Sequence, residues 1–215
     1  MQKKINKSLI INLILTILAI IGFTIITILV CINHTFVIDN FNIIIANNRT
    51  NFWSGFFKIF TYLGSFYVLA ILALIAVVLI WFVAKNKRTS LFYAVCFAVV
   101  CISNLLLKIL IQRIRPDLMI INEVGYSFPS GHAMMSFAFF VLAMHYVYKF
   151  VKNKPLKILL ISVFALIIVL IGFSRIYLGV HYLTDIIAGW LISFVIIQAF
   201  ILLTNSKLFS FLKDK

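Results

Sequence analysis

Charged residues are scarce in this chain of 215 residues: they make up 11% of the sequence, and only 5 residues are acidic. Soluble globular proteins contain about 25% charged residues, so this chain has too few charged residues to cover a water-exposed surface. Hydrophobic residues make up 64% of the sequence, and the mean hydropathy is +1.17. These values exclude a soluble catalytic domain and a disordered chain, and they predict an integral membrane protein.

Cysteine, proline and glycine are also few, at 3, 3 and 8 residues. Cys31, Cys96 and Cys101 have neither the number nor the spacing of a disulfide framework or a metal site, so we interpret them as core residues. The scarcity of glycine and proline excludes collagen-like and low-complexity chains. We therefore expect residues 1–215 to form a single transmembrane domain.

Six apolar runs are each long enough to cross a bilayer as a helix, which takes about 20 residues. They cover residues 8–31, 60–84, 90–110, 132–150, 156–174 and 184–204. The first run is too long for the apolar part of a signal peptide, so we expect an uncleaved helix. The predicted fold is all-α, an integral membrane bundle of six transmembrane helices.

Positive charge is distributed unevenly over the segments between these runs. With both termini in the cytoplasm, all but six of the 19 Lys and Arg residues fall on the cytoplasmic side, as the positive-inside rule requires. The six on the outer side are Arg49, Lys58, Lys108, Arg113, Arg115 and Arg175. The net charge of +14 thus reflects membrane topology rather than nucleic-acid binding, and we expect a multi-pass cell-membrane protein.

The segment between the first two runs has apolar residues at helical spacing. Val37, Phe41, Ile44 and Ile45 would share one face of a helix that lies in the outer membrane interface. An apolar loop packed against the bundle explains the same composition. Both interpretations remain open from the sequence.

The first polar cluster lies at the outer end of the third run. A Lys at a helix centre costs about 2.5–3.5 kcal/mol on insertion, so Lys108 either snorkels to the interface or serves a function. Arg115 follows seven residues later and would return to the same face of a continuing helix. Arg113 would lie off that face, and Pro116 would end the helix near Arg115.

The second cluster, Ser127-Phe-Pro-Ser-Gly-His132, precedes the fourth run. Ser130 is predicted to cap the helix, and Gly131 lets the backbone approach a ligand closely. The free N–H groups and the helix dipole then form an anion site, into which His132 would point. A plain helix cap beside a surface histidine explains the same residues.

The third cluster joins the fifth and sixth runs and contains Ser174, Arg175, His181 and Asp185. If a helix begins near His181, Asp185 lies one turn further along on the same face. Its carboxylate would accept the imidazole N–H, fix the tautomer and leave the other nitrogen free to attack. A carboxylate favoured at a helix start by the dipole is the simpler alternative.

Together the three clusters place cations, two histidines, a carboxylate and a helix N-terminus on one side of the membrane. Phosphoryl transfer needs cations and N–H donors for the equatorial oxygens, a nucleophile in line with the leaving oxygen, and an acid. Each requirement has a candidate among these residues. The sequence therefore predicts an enzyme that acts on phosphate.

The same residues resemble the type 2 phosphatidic acid phosphatase family, whose motifs are K-x6-R-P, P-S-G-H and S-R-x5-H-x3-D. All three motifs are present and complete, in the order Lys108–Pro116, Pro129–His132 and Ser174–Asp185. The motifs span residues 108–185, and the six predicted helices match the integral-membrane members of that family.

The resemblance implies a metal-independent lipid phosphatase without a cofactor, acting at the outer membrane face. His181 would attack phosphorus to form a phosphohistidine, Asp185 would orient His181, and His132 would protonate the leaving oxygen. The implied substrates are phosphatidylglycerol phosphate, phosphatidic acid and undecaprenyl diphosphate. The residues implied to hold the phosphate are Lys108, Arg115, Ser130, Gly131 and Arg175.

Three other functions remain open from the sequence. A metal-dependent phosphatase would use His181, Asp185, Asp117 and Glu123 as ligands, although we expect Asp117 and Glu123 to be solvated loop acids. A channel or lipid-binding scaffold would use the cations to bind anionic head groups without catalysis. A lipid phosphotransferase would use the same site with another lipid as the acceptor.

Overall fold

The computed structural model describes residues 7–32 and 37–205. These residues form eight α-helices, and a 3-10 turn at Val37–Asn40 precedes the second of them. The helices are α1 Lys7–Cys31, α2 Phe41–Asn47, α3 Asn51–Leu63, α4 Phe66–Phe82, α5 Lys87–Ile111, α6 Gly131–Phe150, α7 Lys154–Tyr177 and α8 Leu183–Asn205.

Five of these helices, α1, α5, α6, α7 and α8, are long and apolar enough to cross a membrane. The helices α3 and α4 meet at an angle of 46°, and together they are also long and apolar enough to cross a membrane. The predicted all-α membrane bundle is confirmed, with six spans when this bent pair is taken as one.

The predicted bounds of the second span are wrong, because a single helix over 60–84 does not form. The helix α3 ends at Leu63, and Ser65 starts α4 by accepting a hydrogen bond from the Val68 N–H at 3.5 Å. Gly64 lies at the bend, where a Cβ atom would stand 2.4 Å from the Ile171 side chain of α7. The absence of a side chain at Gly64 therefore lets the bend pack directly on α7.

The helix α6 lies at the centre of the bundle, in contact with α4, α5, α7 and α8. Its buried face combines small and medium-sized residues, including Ala133, Met134, Ala138 and Leu142, which allow close helix packing. At one end of the bundle α5 and α7 finish while α6 and α8 begin. That end brings the three sequence motifs together.

The segment after α1 is helical, as the first interpretation requires, and its location in the outer membrane interface stays a prediction. On α2, Ile44 is 59% exposed whereas Asn42 is only 1% exposed, so the side of α2 that packs on the protein contains a polar residue, and contact of the apolar face with the membrane stays a prediction. The Asn42 amide donates a hydrogen bond to the His181 carbonyl at 2.7 Å. A polar contact with the His181 loop therefore positions α2. The side chain of Val37 lies outside the described part of the chain.

Candidate active site

The second motif is fixed to the helices on both sides of it. Ser130 Oγ accepts a hydrogen bond from the Ala133 N–H at 3.4 Å, which confirms the predicted cap of α6. The Ser130 N–H donates to the Asp185 carbonyl at 3.1 Å, and the Asn104 amide donates to the Pro129 carbonyl, also at 3.1 Å. The loop that ends at Ser130, and with it the start of α6 that contains His132, is thereby held against α8 and α5.

Gly131 has a packing role that the sequence did not indicate. A Cβ atom at this position would stand 2.9 Å from Asn104 Oδ1 of α5, which is closer than real Cβ contacts allow. The close packing of α5 on α6 therefore requires glycine here. That a ligand contacts the Gly131 backbone stays a prediction.

The contact between His181 and Asp185 forms as predicted, although α8 begins only at Leu183. His181 Nδ1 lies 3.2 Å from Asp185 Oδ2, and the Tyr182 N–H donates to the same oxygen at 2.9 Å. Both side chains are buried, with His181 1% and Asp185 0% exposed. The two donors to one carboxylate oxygen hold His181 in place just before the helix.

The surroundings of His181 define its protonation state. Arg115 Nη1 lies 3.2 Å from His181 Nε2, and because a guanidinium only donates hydrogen bonds, Nε2 is the acceptor and Nδ1 carries the proton towards Asp185. Burial, followed by the positive charges of Arg175, Arg115 and Lys108, lowers the pKa of His181 well below 6.5. His181 is therefore neutral at neutral pH, and its Nε2 lone pair faces the cations.

Lys108, Arg115 and Arg175 form a cluster of cations that we call the cation cradle. All three act electrostatically on both His181 and His132. Lys108 Nζ donates to the Tyr126 carbonyl, and other donors in the cluster bind backbone carbonyls of residues 124, 125 and 180. Arg115 and Arg175 are buried and Lys108 is half-buried. Such a group of cations, in which backbone carbonyls hold Lys108 and Arg115, is suited to binding an anion with several oxygens.

Arg175 has the least solvent contact of the three cations, with 1% of its surface exposed. Its Nη1 donates to the Thr61 hydroxyl of α3. Its Nε is buried and has no hydrogen-bond partner among the described residues. Because a buried donor without an acceptor is costly, this nitrogen indicates where an acceptor of a bound ligand would lie.

The path of the chain from Lys108 to Arg115 differs from the prediction. The helix α5 ends at Ile111, and Gln112 adopts a left-handed conformation with φ of 52°, so Pro116 does not end the helix. Arg115 reaches the site from a loop, where it donates to the Val180 carbonyl at 2.8 Å. Arg115 therefore lies beside His181, but the helical-face argument for it was wrong, and its role in binding phosphate stays a prediction.

Arg113 and Asp39 contact the candidate site, and the sequence analysis did not assign either of them to it. Arg113 Nη1 donates to Asp185 Oδ1 at 2.7 Å, and Nη2 donates to Asp39 Oδ2 at 2.8 Å. Asp39 Oδ1 in turn accepts from the Thr184 N–H at 3.1 Å. Arg113 therefore pairs with the Asp185 oxygen that does not contact His181. The sequence offered one indication of this pairing, because a buried carboxylate such as Asp185 needs a cation nearby.

Glu123 is not the solvated acid that was predicted, because its carboxylate accepts a hydrogen bond from Arg175 Nη2. Its second oxygen lies 3.9 Å from Arg115 Nη2, and its side chain is 28% exposed. Asp117 is exposed, as predicted. Within residues 7–32 and 37–205, no three His, Cys, Asp or Glu side chains are grouped so that they could hold a metal ion. The ligand set of the metal-dependent alternative is therefore not assembled.

His132 completes the group at the start of α6. Its ring lies beside the bend between α3 and α4, 3.3 Å from the position that a Cβ atom on Gly64 would take. It interacts electrostatically with Arg175, His181, Arg115 and Lys108. Two histidines thus lie close to one cation cradle, an arrangement in which one could act as a nucleophile and the other as a proton donor in phosphoryl transfer.

The sequence profile of the PAP2 superfamily matches residues 88–208, which include all three motifs. Phosphatidylglycerophosphatase B of Bacillus subtilis is 35% identical over 105 residues, covering 45% of this chain and 50% of that protein. Undecaprenyl-diphosphatase of Sulfolobus acidocaldarius is 26% identical over 125 residues, covering 53% of this chain and 56% of that protein. The chain thus spans about half the length of both relatives.

A solved structure extends the similarity to nearly the whole fold. The crystal structure of a transmembrane PAP2-type phosphatidylglycerolphosphate phosphatase from Bacillus subtilis is similar with a TM-score of 0.75 at 26% identity, covering 88% of this chain and 98% of that chain. The profile match over more than half of the sequence agrees with this similarity of fold. The chain belongs to the PAP2 superfamily.

Proposed function

We propose that this chain, as a single transmembrane domain, is a lipid phosphatase that works through a phosphohistidine at His181. It hydrolyses the phosphate monoester or the diphosphate of a membrane lipid. The observation that carries this proposal is the buried, neutral His181, with its Nδ1 on Asp185 and its Nε2 directed at Arg115 of the cation cradle. A binding scaffold has no need of a carboxylate that orients a histidine.

In the first step, His181 Nε2 attacks phosphorus and the bond from phosphorus to the leaving oxygen of the lipid breaks. With the substrate bound, the negative phosphate offsets the charge of the cation cradle, so that His132 carries a proton, which it donates to that oxygen. The Nδ1 proton of His181 stays directed at Asp185, which stabilises the positive charge that develops on the imidazole. The products are a lipid alcohol, or a lipid monophosphate from a diphosphate, and the phosphohistidine.

In the second step, water attacks the phosphohistidine and the bond between phosphorus and Nε2 breaks. His132, now neutral, accepts a proton from the attacking water and returns to its starting state. Inorganic phosphate leaves, and His181 regains its neutral form with the proton on Nδ1. The pair of steps consumes one water and leaves the side chains unchanged.

The phosphate oxygens are held by Lys108, Arg115 and Arg175 in both steps. The Ser130 N–H is already bound to the Asp185 carbonyl, so Ser130 contributes its hydroxyl proton. The Gly131 N–H belongs to the first turn of α6, where N–H groups have no partner within the helix. These donors stabilise the charge that spreads over the equatorial oxygens in the transition state.

We place the site at the outer membrane face, with both termini in the cytoplasm. This orientation is supported by the opposite end of the bundle, where the connections after α4 and α6 contain many basic residues. The positive-inside rule places such connections in the cytoplasm. The basic residues are Lys85, Lys87, Arg88, Lys149, Lys152, Lys154 and Lys157.

The substrate is a lipid because the site lies at the end of apolar helices, where a phosphate reaches the cations while its tail stays in the bilayer. The names of the two relatives provide two substrates, phosphatidylglycerol phosphate and undecaprenyl diphosphate. Phosphatidic acid offers the same terminal phosphate on a simpler lipid.

The test is phosphate release by the purified, detergent-solubilised protein with each of these three lipids, in EDTA and with added Mg²⁺. We expect release in EDTA, because every group in the proposed steps is a side chain of the protein, and slower release from a water-soluble aryl phosphate. Loss of activity in EDTA with recovery in Mg²⁺ would contradict the histidine mechanism. Absence of release from all three lipids would favour phosphotransfer or a binding role.

A further inference from the structure

Glu123 occupies part of the cation cradle in which the proposed function places the substrate phosphate. Its carboxylate accepts a hydrogen bond from Arg175 Nη2, and its other oxygen lies 3.9 Å from Arg115 Nη2. It is the one carboxylate that pairs with these two arginines among the described residues. The other carboxylates close to the site, Asp39 and Asp185, pair with Arg113 instead.

The contact between Glu123 and Arg175 leaves a donor unused. The Nε and Nη2 atoms lie on the same edge of the planar guanidinium, which binds carboxylates and phosphates through two parallel hydrogen bonds. Glu123 engages Nη2, whereas Nε is buried without a partner among the described residues. A phosphate that binds this edge in bidentate fashion gains the hydrogen bond that Glu123 does not make.

We propose that Glu123 is a specificity-determining residue that competes with anions for Arg175 and keeps phosphodiester head groups out of the cation cradle. This inference rests on the proposed function, because it assigns the phosphate to the same cradle. A phosphomonoester displaces the Glu123 carboxylate from the guanidinium edge. A phosphodiester does not.

Charge and tethering explain the selectivity. A phosphodiester carries one negative charge, as Glu123 does, so it gains no Coulomb energy over the carboxylate that it must displace. Glu123 is also part of the chain, which gives it a high effective concentration at Arg175. A phosphomonoester dianion carries a second charge and a third free oxygen for Lys108 and Arg115. Phospholipids with phosphodiester head groups are the main anions around a membrane enzyme, so such exclusion keeps the site free for its substrate.

The experiment compares wild type with Glu123→Gln, and Asp117→Asn is the matched control. Asp117 lies in the same loop between α5 and α6 and is exposed, so its variant removes the same charge without touching Arg175. Thermal unfolding of the solubilised proteins at about pH 8 is titrated with inorganic phosphate, mainly a dianion there, and with dimethyl phosphate, a diester monoanion. The rise in melting temperature gives the apparent dissociation constant of each anion.

We expect wild type and Asp117→Asn to bind dimethyl phosphate only weakly, and Glu123→Gln to bind dimethyl phosphate and inorganic phosphate each about tenfold more tightly, because the competing carboxylate is gone. Glu123→Asp, whose carboxylate is one methylene short of Arg175, should fall between them and serves if the Gln variant does not fold. Unchanged affinity for dimethyl phosphate, or weaker binding of both anions as expected of a purely structural anchor for Arg175, would overturn the inference.

A parallel assay separates this inference from the proposed function. Phosphate release from phosphatidic acid, held well below its KM, is measured in mixed micelles with increasing phosphatidylglycerol, a phosphodiester lipid. Stronger inhibition of Glu123→Gln than of wild type supports the role of Glu123, and equal inhibition contradicts it. A wild type that releases no phosphate, together with tighter anion binding by Glu123→Gln, would contradict the proposed reaction and still support the role of Glu123.

Discussion

Replacement of His181 by alanine is expected to reduce phosphate release by about 10⁴-fold or more, because loss of a nucleophile costs about as much as loss of the whole catalytic group. His181 is buried, with Nδ1 on Asp185 and Nε2 facing Arg115, and it is the one histidine paired with a carboxylate among residues 7–32 and 37–205. Initial rates with phosphatidic acid under saturating conditions measure the effect.

The matched control for His181→Ala is His145→Ala. His145 lies on α6 near the opposite end of the bundle and is exposed, so its loss should leave the rate within about twofold of wild type. Elution volume and melting temperature of both variants establish that the fold is retained. A folded His181→Ala variant with a rate near that of wild type would contradict the assignment of the nucleophile.

Replacement of Arg175 by glutamine has the second largest expected effect, a fall in kcat/KM of about 10²- to 10³-fold, the usual cost of losing a preorganised donor to a transition-state oxyanion. Arg175 is almost fully buried and has an unused Nε donor, so it gives the phosphate both charge and hydrogen bonds. Arg175→Lys keeps the charge but not the guanidinium edge, so we expect an intermediate loss.

Lys58→Gln is the control for the Arg175 variants. Lys58 is exposed on α3 and belongs to the same predicted outer set of cations, so its loss removes one positive charge without a contact in the site. We expect little change in kcat/KM, since exposed charges are screened by solvent and salt. Similar losses in Lys58→Gln and Arg175→Gln would show a long-range field effect and contradict the assigned contact.

Much of the candidate site could be predicted from the sequence because the residues proposed to perform the chemistry lie next to helix ends. Ser130 was predicted as a cap from its position before an apolar run, and the structure contains that cap. The contact of His181 with Asp185 followed from their spacing. It survives the later start of α8 because a turn at Tyr182 brings the same two side chains together.

The parts that the sequence did not predict depend on loop conformation and on residues far apart in the chain. The left-handed turn at Gln112 ends α5 early, and a helical-face argument that assumes a continuing helix therefore placed Arg113 away from the site. Asp39 and Glu123 reach their arginines only through tertiary folding. Local periodicity contains no information about such pairings.

The break between α3 and α4 illustrates the same limit. Hydropathy alone treats residues 60–84 as one run, since Gly64 and Ser65 interrupt it only briefly. The new helix start depends on the Ser65 hydroxyl, and the bend depends on the space that Gly64 leaves for Ile171 of α7. The helix start and the bend could therefore be predicted only with knowledge of how α7 packs against this segment.

The most direct test of the central claim is to trap the phosphorylated enzyme during a single turnover of phosphatidic acid labelled with ³²P. The reaction is quenched in alkali, because phosphohistidine is stable in base and labile in acid, and the labelled peptide is then identified. The account predicts label on the peptide that contains His181, lost on acid treatment and absent from His181→Ala. Label on another residue, or phosphate release without any base-stable label in the single turnover, would contradict it.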